Sequence, residues 1–389
     1  METKTAINKI EVADILSTYS DKFIKEHNLS FQQIKTIKAI KNCRTATLGY
    51  HKLVCNECNY EQISYNSCRN RHCPKCQSTK QLKWIDKLKA QVLPIRYFHI
   101  AFTLPIQIRP LAYINQNIVY SILFRAASQT LKQVALNPKF LGAEPAFLAV
   151  LHTWGQNLSY HPHLHLIVSA GGLDPDGLEW KQSGSKFFVP VKALSKVFRA
   201  KFITMLKHEY KNNTLKIPDT IDDLDYSDLK KLTSLLYSKT WNVYSKKTFR
   251  GAGNVIEYLG RYTHKVAIAN SRIISSDKGM VKFRYKDYRD NKSKIIELTA
   301  IEFIRRFVQH ILPNNFYKIR YFGLLANKNR TTKLITCFSL LKINIPIPKF
   351  EGLCFHEIIK AVTGNDIFIC PACKRGHLIL ASTLEFNTE

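Results

Sequence analysis

Acidic residues are scarce in this chain. Asp and Glu number 29 against 58 Lys and Arg, leaving a net charge of +29 at neutral pH. The excess is spread along the whole sequence, and self-repulsion of that size is sustained when a polyanion neutralises it. Nucleic acid is the first reading of that partner and an anionic membrane surface the second. Also missing is any run near the eighteen or so apolar residues that a bilayer span needs. The opening METKTAINKIEVADIL lacks the basic-then-apolar layout of a secretion signal. The expectation is a cytoplasmic protein with no membrane partner, where thiols stay reduced and cysteines more often hold metal than pair. Neither an internal repeat nor a low-complexity tract is present. The 389 residues leave room for two or three domains, and 45% hydrophobic content is ordinary for a globular chain.

Apolar spacing predicts two short helices over residues 10–40, the second capped by Ser30, and then a cysteine-rich segment, 43–76, too small to bury a core. A basic helix runs from about Ser78 until Pro94 stops it. RYFHIAFTLP is strand-like and leads into a long amphipathic helix reaching about Leu136. PAFLAVLHTW and HPHLHLIVSAGG form a hairpin, followed by a helix over 190–210 and a linker, NNTLKIPDTIDDLDYSD. Beyond Gly251 and Gly253 a helix carries EYLGRYTHK. The strands RIIS, MVKFRYKDY and KIIELT follow, then a helix near 300–311. Helices segregated around an antiparallel sheet, an α+β fold, suit this order better than strict βαβ alternation. The domains expected are 1–93, helical and zinc-binding; 94–345, the sheet; and 346–389, a tail.

Six of the ten cysteines lie between Cys43 and Cys76. Cys55-x2-Cys58 and Cys73-x2-Cys76 are two knuckles that together supply the four soft ligands of one tetrahedral zinc. Cys43, His51, Cys68 and His72 interleave with them. Either these four bring a second zinc, or the cysteines pack as small apolar residues and the histidines contact backbone or DNA. Arg69, Arg71, Lys75 and Lys80 surround the cluster and suit phosphate contact. In FICPACKRGHL, Cys370-x2-Cys373, with Cys354 and His377 nearby, is either another zinc site or a remnant.

In YHPHLHLIVSAGG, His161, His163 and His165 alternate and project from one face of a strand. Such a face presents imidazoles to one ion; the bland alternative is a solvent-facing strand. A hairpin turn centred on Leu158 and Ser159 sets His152 opposite His165 and Trp154 opposite His163. Either His152 or Gln156 is then the third ligand, with His152 preferred. Mixed imidazole and oxygen ligands with open positions suit Mg²⁺ or Mn²⁺, and Zn²⁺ is compatible.

Tyr258 and Tyr262, four apart in NVIEYLGRYTHK, share a helical face beside Arg261. A phenol of pKa near 10 attacks a phosphodiester only when a metal polarises and positions the phosphate. Tyrosines at this spacing are more often packing, although Gly260 and the neighbouring basic residues are atypical of a core.

Taken together, SYNSCRNRHCPKCQ, FHIAFTLP, LHTWGQNLSYHPHLHLIVSAGGL, IEYLGRYTHKVAIANSRI and IRYFGLLANKNR resemble the successive blocks of the HUH transposases of the insertion-sequence ninety-one family. The resemblance covers about residues 30–335. It implies an HUH-type antiparallel sheet flanked by helices, preceded by a small helical and zinc-binding domain. It implies that His163 and His165 hold a catalytic Mg²⁺ or Mn²⁺ and that Tyr258 and Tyr262 are the paired nucleophiles. It also implies that the cysteine block, with structural Zn²⁺, helps recognise element ends. The activity implied is rolling-circle transposition: cleavage and transfer of single-stranded DNA at transposon ends and target through a 5′-phosphotyrosine. A host helicase would open the strands, and the protein would associate with the bacterial nucleoid while acting. A non-catalytic zinc-dependent DNA-binding regulator would explain the charge and the cysteines but leave the histidine strand and the tyrosines idle. A metal-dependent hydrolase of small molecules would leave the charge unexplained.

Overall fold

The structure is a computed structural model that describes residues 10–76, 78–184, 189–221, 224–247, 267–287 and 290–384. Two helices, α1 (Val12–Glu26) and α2 (Phe31–Lys41), precede a hairpin of β1 (Tyr50–Cys55) and β2 (Glu61–Tyr65). Ser30 starts α2 by a reciprocal cap: it accepts from the Gln33 N–H while the Gln33 side chain takes the Ser30 N–H. Then come α3 (Ser78–Gln91), β3 (Tyr97–Thr103), α4 (Arg109–Ile114), α5 (Gln116–Leu136), β4 (Glu144–Trp154), β5 (Tyr160–Leu173) and β6 (Trp180–Gln182). The next elements are α6 (Val191–Lys211), α7 (Leu229–Ser238), β7 (Val243–Lys247), β8 (Ile273–Asp277), β9 (Met280–Lys286) and β10 (Ser293–Thr299). The chain continues through α8 (Ala300–Val308), β11 (Ile319–Gly323), α9 (Lys333–Leu340), α10 (Phe355–Thr363) and β12 (Leu378–Leu384).

The fold is α+β. Its main sheet has the order β11-β4-β5-β3-β7, with β6 added to β5, and every pairing is antiparallel. One face buries Phe102, Phe147, Leu164, Leu166 and Val168 against Leu123, Phe124, Phe198, Phe202 and Trp241 from α5, α6 and the approach to β7. The opposite face is apolar at one end, where Leu148, Val150 and Ile167 meet Leu88 of α3 and Phe338 of α9. Its other end carries histidine. Beside the sheet, the antiparallel order β10-β9-β8 packs Phe283 against Phe303 of α8, in a cluster that also takes in Leu16, Phe23 and Ile37 of α1 and α2.

Three expectations need correction. The long helix ending at Leu136 is two helices, broken at Asn115, whose side chain bonds the Leu111 carbonyl and both backbone groups of Lys216. The stretch expected as a linker is consequently docked: Tyr226 is buried and donates to the Gln107 carbonyl. The tail does not stand apart, since β12 runs antiparallel to β1 in a three-stranded sheet of order β12-β1-β2.

Gly323 closes β11 at φ +58°, and a Cβ there would lie 1.9 Å from the Pro145 carbonyl oxygen. Gly177, at φ +77°, has open space where a Cβ would stand. Gly323→Ala should therefore lower unfolding free energy by about 2–4 kcal/mol and Gly177→Ala by about 1 kcal/mol. The check is the shift of denaturant midpoint at constant slope; equal shifts would contradict this reading.

Candidate active site and zinc centre

The histidines sit where the alternation of a strand must put them. His163 and His165 point to one face of β5 while Leu164 and Leu166 enter the core on the other. On β4, His152 lies on the same face because it is directly paired with His163. This differs by register from the expected pairing with His165. The cause is local: a bulge falls between His152 and Trp154, and the turn closes through the Gly155 N–H to the Ser159 carbonyl with Leu158 at φ +63°. His152 still reaches both rings, with centroids 5.5 Å from His163 and 4.6 Å from His165. Ligand nitrogens of His152, His163 and His165 all lie within 4.8 Å of one another. Gln156 is in the exposed turn beyond the bulge, its carbonyl accepting from Arg272.

Second contacts orient the rings. The Nδ1 of His163 lies 2.6 Å from the His161 carbonyl, which can only accept, so the proton sits on Nδ1 and Nε2 carries the lone pair. That Nε2 is 3.0 Å from the Nε2 of His165, whose Nδ1 is 2.7 Å from His99 Nε2 on β3. Burial holds His163 down to about pKa 4 and His165 well below its ordinary value, so both are neutral. Two nitrogens bound to one ion at about 2.1 Å and a right angle would stand about 3.0 Å apart, so the pair fits a divalent cation. Sequence reasoning passed over His99. Its ring stacks on His165 at 4.9 Å, and its place on the same face of YFHIAFT was the available signal. His161 is engaged elsewhere, accepting from Arg109 at 2.5 Å. Buried His310 braces the turn through Thr153 and the Leu158 carbonyl.

The cysteines assemble differently from their spacing. Cys43, Cys68, Cys73 and Cys76 form one group; Cys55 and Cys58 join Cys370 and Cys373 in another. The two knuckles are therefore not brought together, because β1 carries Cys55 away along a hairpin whose outer neighbour is β12. His51 is not among the thiols: its Nδ1 lies 3.1 Å from Thr383 Oγ1. His72, buried, accepts from the Leu312 N–H. In the first group Cys43 and Cys76 sulfurs are 3.3 Å apart and Cys68 and Cys76 sulfurs 3.7 Å. Zinc–sulfur bonds of about 2.3 Å at tetrahedral angles give sulfur separations of about 3.8 Å, so the residues fit zinc. Thiol hydrogen bonds from Cys68 and Cys73 hold Cys43 down, while those with Cys43 and Cys68 push Cys73 up. Cys354 stands apart, against His356 at 3.0 Å.

Of the basic residues around the cysteines, Arg69 is exposed. Arg71 is not free for phosphate. Its half-buried guanidinium donates to the carbonyls of Phe316, Leu312 and Pro313, tying the cysteine loop to the approach to β11. Lys75 pairs with Glu11. Tyr258, Arg261 and Tyr262 lie outside the described residues.

A thiol-rich module joined to a sheet with a partly buried histidine face, in a chain of charge +29, is the arrangement of a metal-binding protein with a polyanionic partner. Residues 15–104 match a family model described as a transposase zinc-binding domain, and residues 146–333 match one described as "Putative transposase". The chain is 41% identical over 374 residues to "Putative transposase y4qJ" of Sinorhizobium fredii, covering 95% of this chain and 94% of that one. It is 29% identical over 357 residues to the transposase for insertion sequence element IS801 of Pseudomonas savastanoi pv. phaseolicola, covering 90% of this chain and 84% of that one. No solved structure matches. The chain belongs to the transposases of the insertion-sequence ninety-one family. Among the described residues no helix is long and apolar enough to cross a membrane.

These contacts separate two arginines two positions apart. Arg71→Ala should cost about 2–4 kcal/mol, because it strips partners from half-buried carbonyls. The dependence of log DNA affinity on log salt should be unchanged. Arg69→Ala should leave stability within about 0.5 kcal/mol and lower that salt slope by about 1. Denaturant titration and filter binding across salt concentrations check both; the reverse assignment of effects would contradict it.

Proposed function

We propose that this transposase cuts and rejoins single-stranded DNA at transposon ends and target, using Tyr258 and Tyr262 as nucleophiles and the His152, His163 and His165 face as its metal site. The observation that carries the reading is the pair of neutral Nε2 atoms 3.0 Å apart on the central strand. His163 is turned by the His161 carbonyl, which leaves its Nε2 lone pair toward His165, and the His165 ring is oriented by the contact of its Nδ1 with His99 Nε2. His152 closes the third side from β4, and Gln156, in the adjacent turn, is the less favoured ligand. Mg²⁺ or Mn²⁺ bound there supplies polarisation of the scissile phosphate. Tyr244 and Lys246 of β7 lie on that same sheet face, and Tyr258 and Tyr262 follow β7 in the sequence.

In the first step a tyrosine oxygen bonds to phosphorus and the 3′ oxygen leaves, taking a proton to become a free hydroxyl. The product is a 5′-phosphotyrosine that conserves the bond energy. The second tyrosine, or the freed hydroxyl, attacks the next junction and passes the strand on. Arg69 and Arg261 contact the DNA backbone. Structural zinc, held by Cys43, Cys68, Cys73 and Cys76, keeps the recognition module folded. A host helicase opens the duplex, and the protein works at the bacterial nucleoid.

Single-stranded oligonucleotides spanning the element junctions, incubated with the chain and Mg²⁺ or Mn²⁺, should give a covalent adduct on a denaturing gel. His163→Ala and His165→Ala should each slow adduct formation by about 10³-fold with DNA affinity retained, a loss of several kcal/mol at the transition state. Tyr258→Phe combined with Tyr262→Phe should form none. Adduct from that double variant would place the nucleophile elsewhere, and normal rates in either histidine variant would remove the metal role.

A further inference from the structure

The matched zinc-binding region ends at residue 104, yet the second thiol group draws half of its sulfurs from the last twenty residues of the chain. We infer that Cys55, Cys58, Cys370 and Cys373 form a second structural zinc site, a split one, through which the C-terminal tail completes the N-terminal module.

The two knuckles are built alike. In each, the N–H of the residue after the second cysteine returns to the carbonyl of the first: Asn59 to Cys55 at 3.2 Å and Lys374 to Cys370 at 3.0 Å. Both of those residues take positive φ, +56° and +61°, which turns each pair of sulfurs toward a common centre. Across the group, Cys55 and Cys373 sulfurs are 3.7 Å apart, as are those of Cys58 and Cys370. That is close to the edge of about 3.8 Å expected for tetrahedral zinc, and far beyond the roughly 2.05 Å of a disulfide. Backbone N–H groups face the sulfurs, Glu57 to Cys55 at 3.4 Å and Gly376 to Cys373 at 3.3 Å.

The knuckles interlock at close range. Asn56 and His377 exchange two hydrogen bonds, one from each backbone N–H. Gly376 approaches so near that a Cβ there would meet Cys55 Sγ at 2.5 Å. From this clasp β12 runs along β1, pairing Cys55 with Leu378 and Tyr50 with Leu384. What buries the clasp is slight: Cys55, Cys370 and Leu378, with Leu53, Phe368 and Cys373 packed against them. Most of β2 and β12 is exposed, including Ile63, Tyr65, Ile379 and Leu380. A cluster that small cannot offset the chain entropy of ordering three strands, whereas four thiolates on one zinc can, with binding energy that becomes folding energy. The four thiol protons pass to solvent as the metal binds.

The test uses the full chain purified with zinc. Metal analysis should find two zinc ions per chain and one in Cys370→Ser combined with Cys373→Ser. Cys55→Ser combined with Cys58→Ser should also retain one, and joining all four substitutions should still leave one. A tail variant that keeps two ions, or a fourfold variant that holds fewer than one, overturns the split site. A measurement on the unaltered chain guards against misfolded variants: alkylation of thiols followed by peptide mass spectrometry. Cys370 and Cys373 should be protected together with Cys55 and Cys58 and should become reactive with them as a chelator is added. Prompt alkylation of Cys370 and Cys373 in the zinc-loaded chain, with Cys55 and Cys58 protected, overturns the proposal.

Discussion

The Nε2 atoms of His163 and His165 face each other across 3.0 Å in the middle of a sheet, and much of the fold serves to keep them there. Strand alternation supplies the direction, since Leu164 and Leu166 must enter the core opposite. The His161 carbonyl and His99 fix the rings. The large aromatic layer on the far face, Phe102, Phe198, Phe202 and Trp241 among it, stiffens the strands on which the rings stand. Burial keeps the imidazoles neutral, the form in which each offers a lone pair. On the proposed function, a site that aligns a phosphate to a fraction of an ångström is better built on such strands than on loops.

The rest of the chain follows another logic. Around Cys55, Cys58, Cys370 and Cys373 the strands are short and largely exposed, and sulfurs stand where a core would otherwise be, whereas Cys43 and Cys73 are buried in the cluster of α1, α2 and α8. Arg71 and His72 fasten this thin module to the main body through the Leu312–Phe316 backbone. The positive charge is thus split in its roles, with Arg71 consumed internally while Arg69 stays at the surface. A net charge of +29 leaves ample cation for a polyanionic partner after such internal uses.

Much of this architecture is legible in the sequence because it is local. Apolar periodicity marked α1, α2, α3 and α6; alternation marked the β4–β5 hairpin and placed three histidines on one side. What failed depended on details that periodicity does not carry. The hairpin register moved because one bulge and the left-handed Leu158 changed the turn, while the face survived because His152 remains paired across from an outward residue. The break at Asn115 turned on a hydrogen-bond partner a hundred residues away. Knuckle pairing was the largest miss: spacing identifies a Cys-x2-Cys turn, but which turns meet is decided by β1 pairing with β12 across most of the chain. His99 was passed over because a lone histidine on a strand gains meaning only from its neighbours on the sheet.

The claim that the histidine face holds a divalent cation can be met directly with Mn²⁺, whose spectrum reports nitrogen ligands. The zinc-loaded chain, titrated with Mn²⁺ and followed by pulsed electron paramagnetic resonance, should bind one ion per chain with coupling to at least two imidazole nitrogens. Both should vanish when His163 and His165 are replaced by Ala. Absence of nitrogen coupling in the unaltered chain, or its persistence in that variant, would contradict the account.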